Sequence, residues 1–196
     1  MYYVINDLDN PSIDEDEDDA PFLEIHEELL TNPRRGWQSG AILADPPTQP
    51  ILIEATPQLG YQGPPPDYYD DAISLMSPRL KQTLEAAGVD NIEYYPAVIT
   101  YRRTEEIYDW YAFNIVGLMA VADLDKSDIK NEDGLPFANS SINGFSVDPK
   151  KTHNMYLFRS AENVMTTLVS GQIKDAIDKE GINTFSFTKP EDWVII

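Results

Sequence analysis

The sequence predicts an α+β fold built on a mixed β-sheet. Two stretches, around residues 72–95 and 165–188, each have the pattern of a strand, a helix and a second strand. A separate aromatic and β-branched run, Tyr108–Val116, is typical of a central strand. The apolar content of 42% is enough for a real core. We therefore expect a single domain over residues 1–196, or two lobes of about 1–125 and 126–196.

The two stretches align at a constant offset of 93 residues. Ser77 aligns with Ser170, and each serine is predicted to cap a helix by accepting a first-turn backbone N–H. Gly88 aligns with Gly181, where a helix would end in the left-handed conformation. The apolar positions that align are Leu80 with Ile173, Leu84 with Ile177, Val89 with Ile182, Ile92 with Phe185, and Tyr94 with Phe187. If the two strands of a copy pair in parallel, the crossover should be right-handed. The alternative is a common packing unit that occurs twice by chance.

Shorter patterns predict the elements of the N-terminal third. Tyr2–Ile5 predicts a first strand, and Phe22–Leu30 predicts a short acidic helix that ends before Asn32. Ile42–Leu43 and Ile51–Ile53 predict two strands around a proline-rich connection.

The middle of the chain predicts an antiparallel hairpin. Tyr94–Tyr101 and Tyr108–Val116 are its strands, joined by the charged turn Arg102–Glu106. Met155–Phe158 predicts a further strand, and the apolar C-terminal segment Asp192–Ile196 is expected to dock on the protein body.

The net charge is −20, from 34 acidic and 14 basic residues. Phosphate contacts need lysine and arginine, so this charge excludes ordinary electrostatic binding to nucleic acid. It also disfavours binding to an anionic membrane surface. The charge favours capture of basic partners, although solubility alone is an alternative reason for it.

Cysteine is absent, which excludes disulfides, thiolate zinc sites and a cysteine nucleophile. The first residues have no basic region and only a short apolar run, so no signal peptide is predicted. No stretch approaches the roughly 20 apolar residues that span a bilayer. The expected location is the cytoplasm.

Two stretches are candidates for partner binding. The acidic run has six consecutive carboxylates: Asp14, Glu15, Asp16, Glu17, Asp18 and Asp19. Such a run is usually a solvated loop without a specific function. The run also lacks the central glycine and the closing glutamate of an EF-hand calcium loop. The second candidate, the Asp67–Asp71 patch, consists of Asp67, Tyr68, Tyr69, Asp70 and Asp71. Tyrosines at such a place serve an interface, or are half-buried at the edge of an element.

An enzyme would need a catalytic site, and the sequence offers few candidate residues for one. Asp123 and Asp125 form an Asp-x-Asp pair, which binds metal in some enzymes, and the chain has only two histidines, His26 and His153. A metal-assisted hydrolase would use the aspartate pair with His153, but no glycine-rich phosphate loop accompanies it. A solitary calcium-binding or interaction module that uses the acidic run is the third possibility.

Several stretches in order resemble one known family. They are Tyr3–Asp7, Trp37 with Gly40, the helix from Ser77 into Gly88–Pro96, Tyr111–Val116, Asp123–Ser127, Leu157–Arg159, and the helix from Ser170 to Gly181. This order resembles bacterial immunity protein family 11 of polymorphic toxin systems, also called the DUF1629 family. The similarity spans nearly the whole chain, but the acidic run does not belong to the family pattern.

The resemblance implies an intracellular antitoxin with no catalytic activity and no cofactor. Such a protein binds a cognate toxin domain and blocks it. The carboxylates of this chain suit a basic toxin site, such as that of a nuclease, and its aromatic residues suit buried anchors. The mechanism we expect is occlusion of that site by the acidic run and the Asp67–Asp71 patch.

Overall fold

The computed structural model describes residues 1–7, 23–25, 36–57, 61, 63–70, 73–131 and 138–196, with the backbone alone for 23–25. These residues form fourteen strands and two α-helices, which confirms the α+β class. The strands are β1 (Tyr2–Asn6), β2 (Leu23–Ile25), β3 (Ile51–Pro57), β4 (Tyr68–Asp70), β5 (Ser74–Met76), β6 (Ile92–Tyr101), β7 (Ile107–Ile115), β8 (Leu118–Met119), β9 (Ile129–Lys130), β10 (Ser141–Asn143), β11 (Leu157–Ser160), β12 (Thr167–Ser170), β13 (Ser186–Thr188) and β14 (Val194–Ile195). The helices are α1 (Pro78–Ala86) and α2 (Gly171–Lys179).

The strands form three sheets. The six-stranded sheet has the order β2-β3-β6-β7-β5-β4, and the five-stranded sheet has the order β13-β1-β12-β11-β8. A small sheet, β14-β10-β9, contains the C-terminal strand, so the predicted docking of the C-terminus is confirmed. The N-terminal strand β1 lies between β12 and β13. Whether the chain forms one domain or two lobes stays a prediction.

Both helices begin and end as the repeat predicts. The Ser77 hydroxyl accepts the Leu80 N–H at 3.0 Å, and the Ser170 hydroxyl accepts the Ile173 N–H at 3.4 Å. Gly88 and Gly181 follow the helix ends with φ of +93° and +67°. These angles belong to the left-handed region, which glycine enters without steric cost.

Each copy of the repeat is a split β–α–β unit. In the first copy, β5 and β6 both pair antiparallel with β7, so they run parallel to each other on either side of it. In the second copy, β12 and β13 flank β1 in the same way. The condition of direct parallel pairing is therefore not met. A helix about 10 Å wide covers two strand spacings of about 4.8 Å, which leaves room for the strand between.

The two copies pack their helices together in a symmetric way. The Arg79 guanidinium donates to the carbonyl of Glu180 at the end of α2. Gln172, which is equivalent to Arg79 at the 93-residue offset, donates to the carbonyl of Ala87 at 3.3 Å. The start of each helix therefore lies at the end of the other, and the helices run antiparallel. Their apolar faces share one core, which contains Leu80, Leu84, Ile173, Ile177, Phe113, Val169 and Phe185.

The equivalence extends to the middle strands, which the repeat does not include. Lys81 lies over the ring of Tyr111 on β7, at 5.4 Å, and Lys174 lies over the ring of Tyr3 on β1, at 5.6 Å. Tyr111 pairs with Met76, and Tyr3 pairs with the equivalent residue Val169. The middle strands are therefore structural counterparts, although one follows its copy in the chain and the other precedes it.

The long hairpin is confirmed, and two short predictions are wrong. β6 and β7 pair antiparallel over nine residue pairs, from Ile92 with Ile115 to Thr100 with Ile107. Leu23–Ile25 is a strand rather than part of a helix, because its backbone pairs with β3. Ile42–Leu43 is irregular: Leu43 is buried, and its N–H donates to the Glu93 side chain at 3.3 Å rather than to a strand.

A buried ion pair joins the two large sheets. Arg159 on β11 contacts Asp70 on β4 through two parallel hydrogen bonds of 2.8 and 2.9 Å. The Asp70 carboxylate also accepts the Tyr68 hydroxyl at 2.8 Å and the Ser74 hydroxyl at 2.6 Å. The Arg159 side chain is 0% exposed and that of Asp70 is 4% exposed. The pair is thus fully withdrawn from water, and its members belong to different sheets.

The environment of this pair sets the charge of Asp70. Burial alone would raise the pKa of its carboxyl, but the Arg159 charge and the hydrogen bonds to the carboxylate outweigh burial and lower the pKa below the usual 3.8. A carboxyl with a lowered pKa stabilises the fold above pH 3.8. That contribution is lost as the pH falls through the folded-state pKa.

Alanine at either helix-ending glycine should destabilise the protein through the backbone. We expect Gly88→Ala and Gly181→Ala each to lower the free energy of unfolding by about 1 kcal/mol, because an added Cβ penalises the left-handed conformation. Contacts do not add to this cost, since each Cβ would lie at least 3.5 Å from its neighbours. Gly171→Ala, at the start of α2, is the control and should be neutral or stabilising. Urea denaturation of the three variants measures this, and an equal loss in Gly171→Ala would contradict it.

Arg159→Met should destabilise the protein by about 3–5 kcal/mol, because it leaves the Asp70 carboxylate buried without a cation. The loss should be greatest near neutral pH and should shrink as the pH falls, because burial without the arginine raises the pKa of the Asp70 carboxyl and lets it protonate. Denaturation curves between pH 3 and 8 measure both effects.

Arg102→Met is the matched control, because the Arg102–Glu54 pair is exposed at 47% and 48% and should contribute less than about 1 kcal/mol. Similar losses in the two variants, or a loss in Arg159→Met that does not change with pH, would contradict the role of the buried pair.

Candidate functional site

The Asp67–Asp71 patch lies at β4, the edge strand of the six-stranded sheet. Tyr68 is 2% exposed, and its ring packs on Phe113 and Phe185 at centroid distances of 5.5 and 5.6 Å. Asp70 forms the buried ion pair with Arg159. Tyr68 and Asp70 are therefore interior residues that fix β4 in place, and Asp71 lies outside the described residues.

Asp67 and Tyr69 are half-buried and form the surface of the described patch. The Asp67 carboxylate accepts the hydroxyls of Ser77 and Thr184, and its N–H donates to the Thr184 hydroxyl at 2.8 Å. Asp67 thus ties the start of α1 to the segment after α2. The Tyr69 ring packs against the apolar core on the face of the six-stranded sheet opposite to that of Tyr68. Contact between these residues and a partner stays a prediction.

The acidic run Asp14–Asp19 and His26 lie outside the described residues. The segment that contains the run joins two defined places, however. Asp7 lies beside β4, where its carboxylate accepts the Asp70 N–H at 2.7 Å, and Leu23 begins β2 at the opposite edge of the same sheet. The described residues that flank this segment therefore lie at opposite edges of the six-stranded sheet.

In the Asp-x-Asp pair, Asp123 precedes a short 3₁₀ turn, Leu124–Lys126, and Asp125 lies within it. The Asp123 carboxylate contacts Lys126 Nζ at 2.5 Å, and this hydrogen bond lowers the pKa of Asp123. Asp125 and His153 are exposed. Within the described parts of the chain, no three side chains of His, Cys, Asp or Glu are grouped so that they could hold a metal ion.

A cleft of about 620 Å³ lies beside the N-terminus, between the five-stranded and small sheets. Met1, Tyr2, Phe145, Lys126, Asp128 and Glu191 line part of it. Lys126 is paired with Asp123, and Asp128 is paired with Lys130 at 3.0 Å. The charged groups of Lys126 and Asp128 therefore already have partners within the chain, and they give no indication of a ligand in the cleft.

Half of one face of the six-stranded sheet has no other described element packed on it. We call it the uncovered sheet face, and it consists of Leu52, Glu54, Pro96, Val98, Thr100, Ile107 and Asp109. Leu52 and Ile107, two large apolar residues, are 56% and 66% exposed on this face. This face was not predicted from the sequence. The signal was in β3, where Ile51, Leu52 and Ile53 are apolar in succession and so place apolar side chains on both faces.

No described helix is long and apolar enough to cross a membrane; the two α-helices have nine residues each.

Comparison with known proteins places the chain in a family. No curated protein matches the sequence. A family model described as the immunity protein family Imm11 matches residues 9–192, which is most of the chain and includes both helices and the long hairpin. The family predicted from the ordered motifs is therefore confirmed. The chain belongs to the Imm11 immunity protein family.

Proposed function

We propose that this protein binds a cognate bacterial toxin domain and neutralises it by occluding a basic site on the toxin. The observation that carries the proposal is the match to an immunity protein family over residues 9–192. The protein acts as a stoichiometric inhibitor rather than as an enzyme, and it meets the toxin in the cytoplasm. A nuclease-like toxin suits this mechanism, because its active site is basic where it binds phosphate.

The distribution of charge supports the occlusion mechanism. Eleven aspartates and glutamates, but no lysine or arginine, precede Arg34, and the whole chain has a net charge of −20. A block of one sign of charge attracts an oppositely charged partner over long distances and raises the association rate. The acidic run Asp14–Asp19 is the densest part of this block, and we propose that it approaches the basic toxin site.

The Asp67–Asp71 patch serves the same interface in two ways. Asp67, Tyr69 and Asp71 are the members that we propose to contact the toxin. Tyr68 and Asp70 are buried, so they act by holding β4 in position. Asp7, the last described residue before the acidic run, lies beside the patch, where its carboxylate accepts the Asp70 N–H.

Neutralising the acidic run should slow toxin capture. We expect a variant with Asp14–Asp19 changed to Asn and Gln to associate about tenfold more slowly at low salt, and to lose much of the salt dependence of that rate. Stopped-flow or surface plasmon resonance measures this, with the purified, inactivated product of the neighbouring open reading frame that arrests growth as the probe.

A second variant controls for net charge, because it loses the same number of carboxylates at scattered exposed positions. These positions are Asp90, Asp125, Asp175, Glu180, Glu191 and Asp192. Its association rate should fall by less than about threefold, because its charges are spread over several surfaces. Equal rates in the two variants would show that total charge, and not the acidic run, governs capture.

A further inference from the structure

We infer that the uncovered sheet face is a docking surface for the toxin, next to the acidic contacts and distinct from them. This inference rests on the proposed function and names a contact surface for it. Its central observation is a cluster of aliphatic side chains on the solvent side of a sheet, where polar residues usually alternate with the buried ones.

Strand pairing makes these aliphatic side chains neighbours. Leu52 on β3 is the direct partner of Val98 on β6, and Val98 is the direct partner of Asp109 on β7. Ile107 lies two residues from Asp109 on the same side of β7, diagonal to Val98. Adjacent and diagonal positions on one sheet face lie about 5–8 Å apart. Leu52, Val98 and Ile107 are therefore neighbours on one face across three strands, with Asp109 opposite Val98 and Thr100 opposite Ile107.

The lengths of the elements explain why this half of the sheet is open. Helix α1 has nine residues and is about 13.5 Å long. The hairpin strands β6 and β7 have ten and nine residues and are about 30 Å long. The helix packs near Tyr94 and Phe113, toward one end of the hairpin. The other end, with Val98 and Ile107, extends beyond it.

The charges identify the occupant as a partner rather than a second copy of this chain. Two copies would each bring a net charge of −20, and their mutual repulsion opposes dimerisation through this face. Asp109 is exposed beside Val98, and no described residue forms an ion pair or hydrogen bond with its carboxylate. A complementary partner has an apolar surface with a lysine or arginine at its edge, and a basic toxin domain supplies both.

The face also suits the energetics of a tight inhibitor. Charge raises the association rate, whereas most differences in affinity come from the dissociation rate. Apolar side chains that lose their water on binding slow dissociation, and a few of them at the centre of an interface carry most of the binding energy. Leu52 and Ile107 are large and exposed, so they have the most apolar surface to bury.

The test is a double variant, Leu52→Lys/Ile107→Lys, measured against the purified, inactivated product of the neighbouring open reading frame that arrests growth. Leu124→Lys/Val194→Lys is the matched control, with the same change of charge at positions that are 52% and 53% exposed and outside the face. Light scattering and thermal unfolding are recorded for all three proteins. We expect the dissociation constant of the face variant to rise at least tenfold, and that of the control to stay within twofold of the wild type.

The other outcomes overturn the inference in distinguishable ways. If the wild type binds the toxin and the face variant binds it equally well, the docking surface is wrong but the proposed function stands. If the wild type neither binds the toxin nor protects against it, the proposed function fails and this inference fails with it. A wild-type dimer that the face variant abolishes, with unchanged toxin affinity, assigns the face to a second copy. A lowered melting temperature in the face variant alone, with unchanged affinity, assigns the face to contacts within the chain.

Discussion

The buried pair of Arg159 and Asp70 is the constraint on which the arrangement of the two large sheets depends. Arg159 belongs to the five-stranded sheet and Asp70 to the six-stranded sheet, and two hydrogen bonds fix their relative position. Apolar packing alone is non-directional and tolerates sliding of one sheet past the other. A two-pronged arginine–carboxylate contact has one geometry. The desolvation of both charges makes any slipped arrangement costly, because it would leave a buried charge unpaired.

This constraint also explains why the Asp67–Asp71 patch has a mixed character. Its aspartates and tyrosines suggest an interface by composition, but Asp70 and Tyr68 are required by the fold. Composition cannot separate these roles, because the partner of Asp70 lies 89 residues away in the chain. The sequence contained the arginine and the aspartate, but no periodic pattern links them. Long-range polar pairs of this kind could therefore not be predicted from the sequence.

The local elements were predictable because their signals are local. The N-cap serines, the glycines that end the helices and the β-prone hairpin each depend on a few neighbouring residues, and each is confirmed. The place of β1 as the middle strand of the second split unit was not predictable, because β1 comes from the opposite end of the chain to β12 and β13. The irregular course of Ile42–Leu43 had the same origin, since the Glu93 side chain that accepts the Leu43 N–H is remote in sequence.

The mechanism that we propose divides binding between two surfaces. In it, the acidic run would bring long-range attraction and the uncovered sheet face would bring apolar contact. The residues with the most evident motifs, in the two repeat copies, build the scaffold and its shared core. This separation suits an inhibitor family, because surface positions can change to match a new toxin while the helix pair and the buried ion pair remain.

Co-expression with any neighbouring open reading frame whose product arrests growth tests the central claim most directly. The account predicts that the wild-type chain restores growth and co-purifies with that product as a complex of fixed stoichiometry. Arg159→Met, which is expected to lose about 3–5 kcal/mol of stability, should restore growth less well. Continued growth arrest in the presence of well-folded wild-type protein, with no complex formed, would contradict the account.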